Sequence, residues 1–237
     1  MRIANRAYGA ALPLVYLIAA CSPANEAQPT ANNTTAAASA PASQSAPAAN
    51  ARLVVVLGDS LYAGYNLAPG QGFAPALERA LKAQGVAAQV VNAGVSGDTS
   101  AAGRQRLAFV LDGLPRKPDL VLVGLGANDM LRGLSPEATR ENIDAICAEL
   151  QKRGIPIMLT GMVAAPNMGP AYAAAFNPIY PDLAKKYAAP LDPFFLDGVI
   201  GTRALLLGDG IHPNPKGVET IVARVWPMVA DALKKED

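Results

Sequence analysis

Short apolar runs alternate with segments of helical periodicity along most of the chain. Five runs have the length and composition of buried strands, and they lie at residues 53–57, 86–91, 120–123, 155–159 and near Leu191. The segments between and after them repeat apolar residues every three or four positions and predict helices around 73–84, 106–111, 143–150, 170–187 and 215–229. Strands that alternate with helices indicate a parallel sheet covered on both faces. The pattern therefore predicts an α/β fold, a three-layer α/β/α sandwich around a mostly parallel five-stranded sheet.

The first twenty residues depart from this pattern. Arg2 and Arg6 precede an uncharged stretch, residues 7–20, which is too short for a membrane-spanning helix of about 20 residues and suits the apolar core of a signal peptide. The stretch ends in Ile-Ala-Ala before Cys21, which resembles the lipobox of bacterial lipoproteins. We therefore predict a signal peptide over residues 1–20 and lipidation of Cys21. The alternative is an ordinary secretory signal followed by an incidental cysteine.

The next thirty residues have a composition of their own. Residues 21–50 are almost entirely Ala, Pro, Ser, Thr, Asn and Gln, with one charge and no aromatic side chain. Such a segment cannot bury enough apolar surface to offset the entropy lost on ordering, so we predict a disordered, lipid-anchored tether before a domain of residues 51–237. Ser22 follows the cysteine, and the absence of Asp there resembles lipoproteins sorted to an outer membrane. The expected location is the periplasmic side of the outer membrane of a Gram-negative bacterium.

Charge and cysteine content exclude several functional classes. The chain has 20 basic and 19 acidic residues, and residues 51–237 hold equal numbers of each. No basic surplus is available to attract nucleic acid or an anionic membrane, so we expect membrane contact through the lipid anchor only. Two cysteines, Cys21 and Cys147, are too few for a disulfide scaffold or a cysteine-ligated metal site. With one histidine besides, ligands for a metal centre are lacking, and we expect no cofactor.

Candidate chemistry lies in the loops that follow the predicted strands. A serine alcohol is a poor nucleophile at neutral pH and needs an imidazole to take its proton. Ser60 follows the first strand, and His212 is the only imidazole in the chain. Asp209 lies three residues before His212, near enough for its carboxylate to orient the imidazole. Asp59 and Asp98 are rival acids, which we interpret as loop-shaping hydrogen-bond acceptors.

A serine hydrolase also needs donors for the negative charge of its tetrahedral intermediate. Gly97 can bring a backbone N–H close without a side chain in the way. Asn128 offers a neutral amide donor, and Ser60 can give its own backbone N–H. The alternatives are that Gly97 only satisfies a positive φ angle and that Asn128 only caps the following helix.

Four sequence blocks in these loops together resemble the SGNH, or GDSL-type, hydrolases. The blocks are Gly58-Asp59-Ser60-Leu61, Gly97 within Ser96-Gly97-Asp98-Thr99, Gly126-Ala127-Asn128-Asp129 and Asp209-Gly210-Ile211-His212-Pro213-Asn214. They come in the order of the family and span residues 58–214. The third block departs from the usual pattern at Ala127 and leaves Asn128 intact. The group that the chain resembles contains bacterial periplasmic acyl-thioesterases, lysophospholipases and arylesterases.

The resemblance implies a flavodoxin-like α/β/α sandwich and a serine esterase without a cofactor. Its substrate would be a small acyl ester or thioester, cleaved through an acyl-enzyme intermediate. The resemblance further implies Ser60 as nucleophile, Gly97 and Asn128 as oxyanion donors, and Asp209 and His212 as the partners of the serine.

An acyl pocket is predicted from the loops after the third and fourth strands. The apolar residues expected to line it are Leu131, Met162, Val163, Pro166 and Met168. Ordinary core packing of these side chains is the alternative. Two other functions stay open, an O-acetylesterase acting on cell-envelope polysaccharide and a non-catalytic envelope-binding lipoprotein that keeps the fold.

Overall fold

A computed structural model of the chain describes residues 51–234. Its five strands are β1 (Arg52–Gly58), β2 (Ala88–Gly94), β3 (Leu120–Gly124), β4 (Ile157–Thr160) and β5 (Leu191–Asp192). The described helices are α1 (Ser60–Ala63), α2 (Phe73–Ala83), α3 (Ser100–Asp112), α4 (Ala127–Leu131), α5 (Pro136–Lys152), α6 (Pro170–Phe176), α7 (Ile179–Tyr187) and α8 (Pro215–Lys234). The predicted signal peptide, tether and Cys21 lie outside the described residues.

The five strands form one parallel sheet in the order β2-β1-β3-β4-β5. Residues 53–57 of the interior strand β1 have no exposed surface, as expected for a strand covered on both faces. Helix α8 packs on α2, whereas α5 packs on α3 and α7. The predicted α/β/α sandwich is confirmed. In this order the chain passes from β1 outward to β2 and then returns to the other side of β1 to form β3. Ligands bind beyond the carboxyl ends of the strands at such a switch point.

Several predicted boundaries shift. The second strand is Ala88–Gly94 rather than 86–91, and the fourth is Ile157–Thr160 rather than 155–159. The single helix predicted over 170–187 is two helices, α6 and α7, because Pro178 has no N–H for the helical ladder and its ring would crowd the preceding turn. Among residues 51–234, no helix is both long and apolar enough to cross a bilayer.

Three strands end side by side in glycine. Gly58 of β1 is in register with Gly94 of β2 and with Gly124 of β3. The ring of Tyr62, on α1, lies directly against these strand ends. A Cβ atom on Gly58 or Gly124 would stand 2.4 Å or 2.3 Å from the Tyr62 ring. Because these glycines have no side chains, α1 can lie directly on the end of the sheet, where Tyr62 packs against Phe73 and Phe195.

Gly124→Ala should therefore destabilise the domain. The added methyl group would overlap a buried ring, and overpacking of this kind costs about 1–3 kcal/mol. For a domain of this size we expect a fall in melting temperature of roughly 5 °C in thermal unfolding. Gly208→Ala is the matched control, because a Cβ at that position has no atom within 4 Å. Equal melting temperatures for the two variants would contradict this account of the strand ends.

Candidate active site

Ser60 is the first residue of α1 and follows β1 after a single intervening residue, Asp59. The Asp59 carboxylate accepts a hydrogen bond of 3.0 Å from the backbone N–H of Leu61 and so caps the helix. The helix ends after one turn at Gly64, whose φ of 78° is left-handed. A strand, a cap and one helical turn thus fix the serine at the carboxyl edge of the sheet.

Asp59 is almost completely buried. Removal from water raises the pKa of its carboxyl group to about 7, and the nearby charges of Asp98 and Asp129 act in the same direction. The hydrogen bond from Leu61 opposes this shift. The residue behaves as the loop-shaping acceptor that the sequence predicted, and it binds a proton much more tightly than an exposed aspartate.

Ser60, His212 and Asp209 form one chain of hydrogen bonds. The Nε2 atom of His212 is 2.8 Å from the Ser60 Oγ atom, and its Nδ1 atom is 2.6 Å from Asp209 Oδ2. A carboxylate on Nδ1 fixes the tautomer in which Nε2 can accept the serine proton. Ser60 and His212 are 152 residues apart in the sequence, and the fold brings them into contact.

Hydrogen bonds within the turn that contains His212 fix its conformation. Asp209 Oδ1 accepts hydrogen bonds of 2.9 Å and 3.0 Å from the backbone N–H groups of Ile211 and His212. These two bonds, together with the His212 side chain, hold the pKa of the Asp209 carboxyl group at about 2. Asp209 therefore stays ionised over the whole neutral range. The carbonyl of His212 also accepts from the backbone N–H of Leu207, which closes the turn.

The candidate oxyanion donors lie on the loops after β2 and β3. Gly97 has a φ of 87°, so the positive angle considered from the sequence is present. Asn128 is inside α4 rather than capping it, and its amide donates to the backbone carbonyl of Asp98 at 2.9 Å. That bond uses one of its two N–H donors. Gly97, Asn128 and Ser60 all line the same cavity.

Arg106, which no sequence motif predicted, connects the end of β1 with the loop after β2. Its Nε atom donates to Asp98 at 2.5 Å, and its Nη2 atom donates to the carbonyl of Gly58 at 2.9 Å. Both side chains of the ion pair are largely buried. Asp98 thus accepts from Arg106 through its carboxylate and from Asn128 through its carbonyl. No periodicity or motif in α3 marks this arginine in the sequence.

Asp129 forms a second tie, between the loops after β2 and β3. It is buried, and its carboxylate accepts from the backbone N–H of Ser100 at 2.7 Å and from the hydroxyl groups of Ser100 and Thr139. Ser100 is the first residue of α3 and Thr139 lies on α5. The residue after Asn128 therefore anchors α4 to two longer helices.

A cavity of about 610 Å³ opens beside Ser60 and His212. Four of the five predicted pocket residues line it: Leu131, Met162, Val163 and Pro166. Met168 is not among the residues that line it and packs against the hydrophobic core, which is the alternative considered from the sequence. Other apolar residues also line the cavity although the sequence pattern did not predict them, chiefly Tyr65, Phe194, Leu196, Ile200 and Ile211. Most of them lie in irregular segments without periodicity, although Tyr65 follows the candidate nucleophile by only five residues.

Among residues 51–234, no group of three or more His, Cys, Asp or Glu side chains could hold a metal ion. Cys147 is free and buried on α5, and burial raises the pKa of its thiol to about 12.

A family model, two relatives and a solved structure match most of this chain. Residues 56–219 match the family described as GDSL-like Lipase/Acylhydrolase family. The chain is 37% identical over 185 residues to the Esterase TesA of Pseudomonas aeruginosa, covering 78% of this chain and 91% of the relative. It is 35% identical over 189 residues to the Thioesterase 1/protease 1/lysophospholipase L1 of Escherichia coli, covering 80% and 85%. The solved structure of AlinE4, an SGNH-hydrolase family esterase, is 50% identical with a TM-score of 0.67, covering 78% and 98%.

The raised pKa of Asp59 predicts a pH-dependent cost to stability. In the unfolded chain this group loses its proton near pH 3.8, but in the folded protein it does so near pH 7. The folded state thus binds more protons between these values, so this group lowers the free energy of unfolding as pH rises from about 4 to 7, by at most about 4 kcal/mol. Asp59→Asn keeps an acceptor for Leu61 and removes this dependence.

Thermal unfolding between pH 4 and 8 measures the effect. The melting temperature of Asp59→Asn relative to that of the native protein should rise with pH by several degrees and level off above pH 7. Asp231→Asn, on the exposed surface of α8, is the control and should show a constant difference. A constant difference for Asp59→Asn would rule out the proton that we assign to this carboxyl group.

Proposed function

We propose, on the premise that this chain belongs to the GDSL-like lipase/acylhydrolase family and is an ester hydrolase, that Ser60 is its nucleophile and that the reaction passes through an acyl-enzyme. The observation that carries the proposal is the continuous chain of hydrogen bonds from Asp209 through His212 to Ser60 at the edge of an apolar cavity. No cofactor takes part in the proposed reaction.

The proposed reaction has two halves. Ser60 Oγ attacks the acyl carbon while His212 Nε2 takes its proton, and the carbonyl electrons move onto the oxygen. The carbonyl then re-forms as the bond to the leaving group breaks, the imidazolium gives its proton to that group, and the acyl group stays on Ser60. Water attacks the acyl-enzyme in the same way, with His212 again as base, and the proton passes to Ser60 Oγ as the acid leaves. Asp209 remains ionised and stabilises the imidazolium in both halves.

We assign the oxyanion hole to the backbone N–H groups of Ser60 and Gly97 and the free N–H of Asn128. The bond from Asn128 to the Asp98 carbonyl supports this assignment, because it fixes the amide plane and leaves the second donor available. Arg106 and Asp129 connect the segments after β1, β2 and β3 on which these donors lie. Donors that are fixed before the reaction begins need no reorganisation as charge develops.

The cavity supports aliphatic acyl groups as the part of the substrate that is recognised. Its lining is mainly apolar, and each buried methylene contributes about 0.8 kcal/mol. An acetyl group would leave most of the volume of about 610 Å³ unused, which favours longer chains over the O-acetylesterase alternative. The names of the Escherichia coli relative support thioesters and lysophospholipids as further substrates. The hydrogen-bonded serine argues against a non-catalytic binding protein.

We further propose that the protein is exported to the periplasm and anchored in the outer membrane by lipid on Cys21. The support is the sequence of the first 22 residues. The proposal includes neither nucleic acid nor any membrane contact apart from the anchor. Intact-mass analysis of the protein from the cell envelope decides the matter, since an unmodified N-terminus at another residue would exclude the anchor.

Ser60→Ala should abolish hydrolysis of p-nitrophenyl esters, with a loss on the order of a thousandfold or more, because the acyl acceptor is gone. Steady-state kinetics measure this, and the melting temperature checks that the fold is intact. Ser96→Ala is the matched control, since Ser96 lines the same cavity but has no hydrogen bond to His212. A fluorophosphonate should label Ser60 in the native protein; labelling of Ser96 instead would overturn the assignment.

A series of p-nitrophenyl esters from acetate to palmitate tests the substrate class with the same protein. We expect kcat/KM to rise with chain length at least to the medium chains. Activity on acetate alone would favour the O-acetylesterase, and no turnover of any ester would favour the binding protein.

Asn128→Ala should lower kcat by roughly a hundredfold with little change in KM, because an oxyanion donor acts mainly in the transition state. The measurement is a full kinetic curve on p-nitrophenyl octanoate. Arg106→Lys provides a comparison, because it leaves every donor in place while weakening the tie between the loops. An increase in KM alone for Asn128→Ala would show that the amide binds substrate instead.

A further inference from the structure

The imidazole of His212 has a third contact besides its two hydrogen bonds. The ring of Tyr65 lies over it with 4.4 Å between the ring centres and 33° between the planes. Ser60 and Asp209 are hydrogen-bonded to the two ring nitrogens, whose N–H bond and lone pair are directed in the plane of an imidazole. Tyr65 contacts the ring from outside that plane, where hydrogen bonds give no restraint.

The position of Tyr65 is fixed by the same turn that holds the nucleophile. The backbone N–H of Tyr65 donates to the carbonyl of Ser60 at 3.2 Å, just after Gly64 ends α1 in a left-handed conformation. A Cβ atom on Gly64 would also stand 3.3 Å from the Cα atom of Gly72, so the turn is packed closely against the chain behind it. One short turn thus presents the serine and the aromatic ring to the imidazole together.

We propose that Tyr65 is a positioning residue for the base. Its ring keeps Nε2 of His212 directed at Ser60, and its negative π face stabilises the imidazolium that forms when Ser60 Oγ bonds to the acyl carbon and its proton moves to Nε2. A cation is attracted to an aromatic face within about 6 Å, more strongly than a neutral ring. This inference rests on the proposed function of Ser60 and His212.

Asp209, Ser60 and Tyr65 face the imidazole of His212 from two segments of the chain. From its own turn the ionised carboxylate of Asp209 faces it, and from α1 the Ser60 hydroxyl. The segment just after α1 contributes the Tyr65 ring. Because Asp209 is unchanged in a Tyr65 variant, any change in the titration of the imidazole reports the loss of the aromatic face.

The first test is a titration followed by NMR on the full chain, prepared without a histidine tag. The chain has a single histidine, so its imidazole signals need no assignment. In Tyr65→Leu we expect the titration midpoint of His212 to move to lower pH by about half a unit relative to the native protein, the size of a ring–cation attraction at a partly exposed site. Tyr65→Phe keeps the ring and should restore the midpoint. Identical midpoints in all three proteins would overturn the proposal.

The second test is kinetic and uses p-nitrophenyl octanoate. Tyr65→Leu should lower kcat about tenfold, with KM changed less than threefold, and the acid limb of kcat/KM should move to lower pH with the NMR midpoint. Tyr65→Phe should recover most of kcat. Ile200→Ala is the comparison, because Ile200 is about as exposed as Tyr65 and lines the same cavity, so its loss should raise KM.

The outcomes separate the two proposals. An increase in KM alone for Tyr65→Leu would make Tyr65 a wall of the pocket and overturn the positioning role. Equal losses of kcat in the Phe and Leu variants would assign the effect to the hydroxyl group and also overturn it. If the native protein hydrolyses no ester, the proposed function fails, whereas the NMR titration still tests the contact between the rings. Tyr65 is 40% exposed, so both variants are expected to fold, and melting temperatures check this.

Discussion

The ring of Tyr62 lies against the ends of the central strands, and the position of the active-site helix depends on this contact. Glycines at the ends of β1 and β3 leave room for the ring, and the hydroxyl group of Tyr62 reaches Thr160 at the end of β4. Helix α1 is only four residues long and could not hold its own orientation by helical hydrogen bonds. Burial of the Tyr62 side chain against the ends of these strands fixes the orientation of the helix and with it the position of Ser60.

Buried polar contacts fix the conformations of the loops at this end of the sheet. Arg106 connects the end of β1 with the loop after β2, and Asp129 connects the loop after β3 with α3 and α5. These groups are shielded from water and have their partners, so they favour one arrangement of the loops over others. Loss of one partner would leave a buried charge unpaired, which costs more than the bond itself contributes.

The sheet and the family blocks were predictable because each is encoded locally. Residues 53–57 are apolar without interruption, and His212 has no rival as a base. The helix break at Pro178 follows from a residue without an N–H donor, whereas the periodicity on both sides predicts one continuous helix. The short helices α1 and α4 contain too few residues to show a period. Arg106 contacts a segment that is distant in the sequence, and Ile200 lines the cavity together with residues from other segments. No local sequence pattern predicts such contacts.

The separation of the two halves of the site has a chemical consequence. In the proposed reaction, the hydrogen-bonded half around His212 acts on the carbonyl carbon and the leaving atom, which any acyl ester presents. The apolar half is formed largely from Leu131, Val163 and Ile200, which are partly exposed at the cavity and gain burial only when a chain covers them. Binding energy from the acyl chain can therefore hold the carbonyl in place without a specific contact to the leaving group. We therefore expect selectivity to follow the length and shape of the acyl group, with the proposed nucleophile Ser60 acting on esters whose alcohol portions share little.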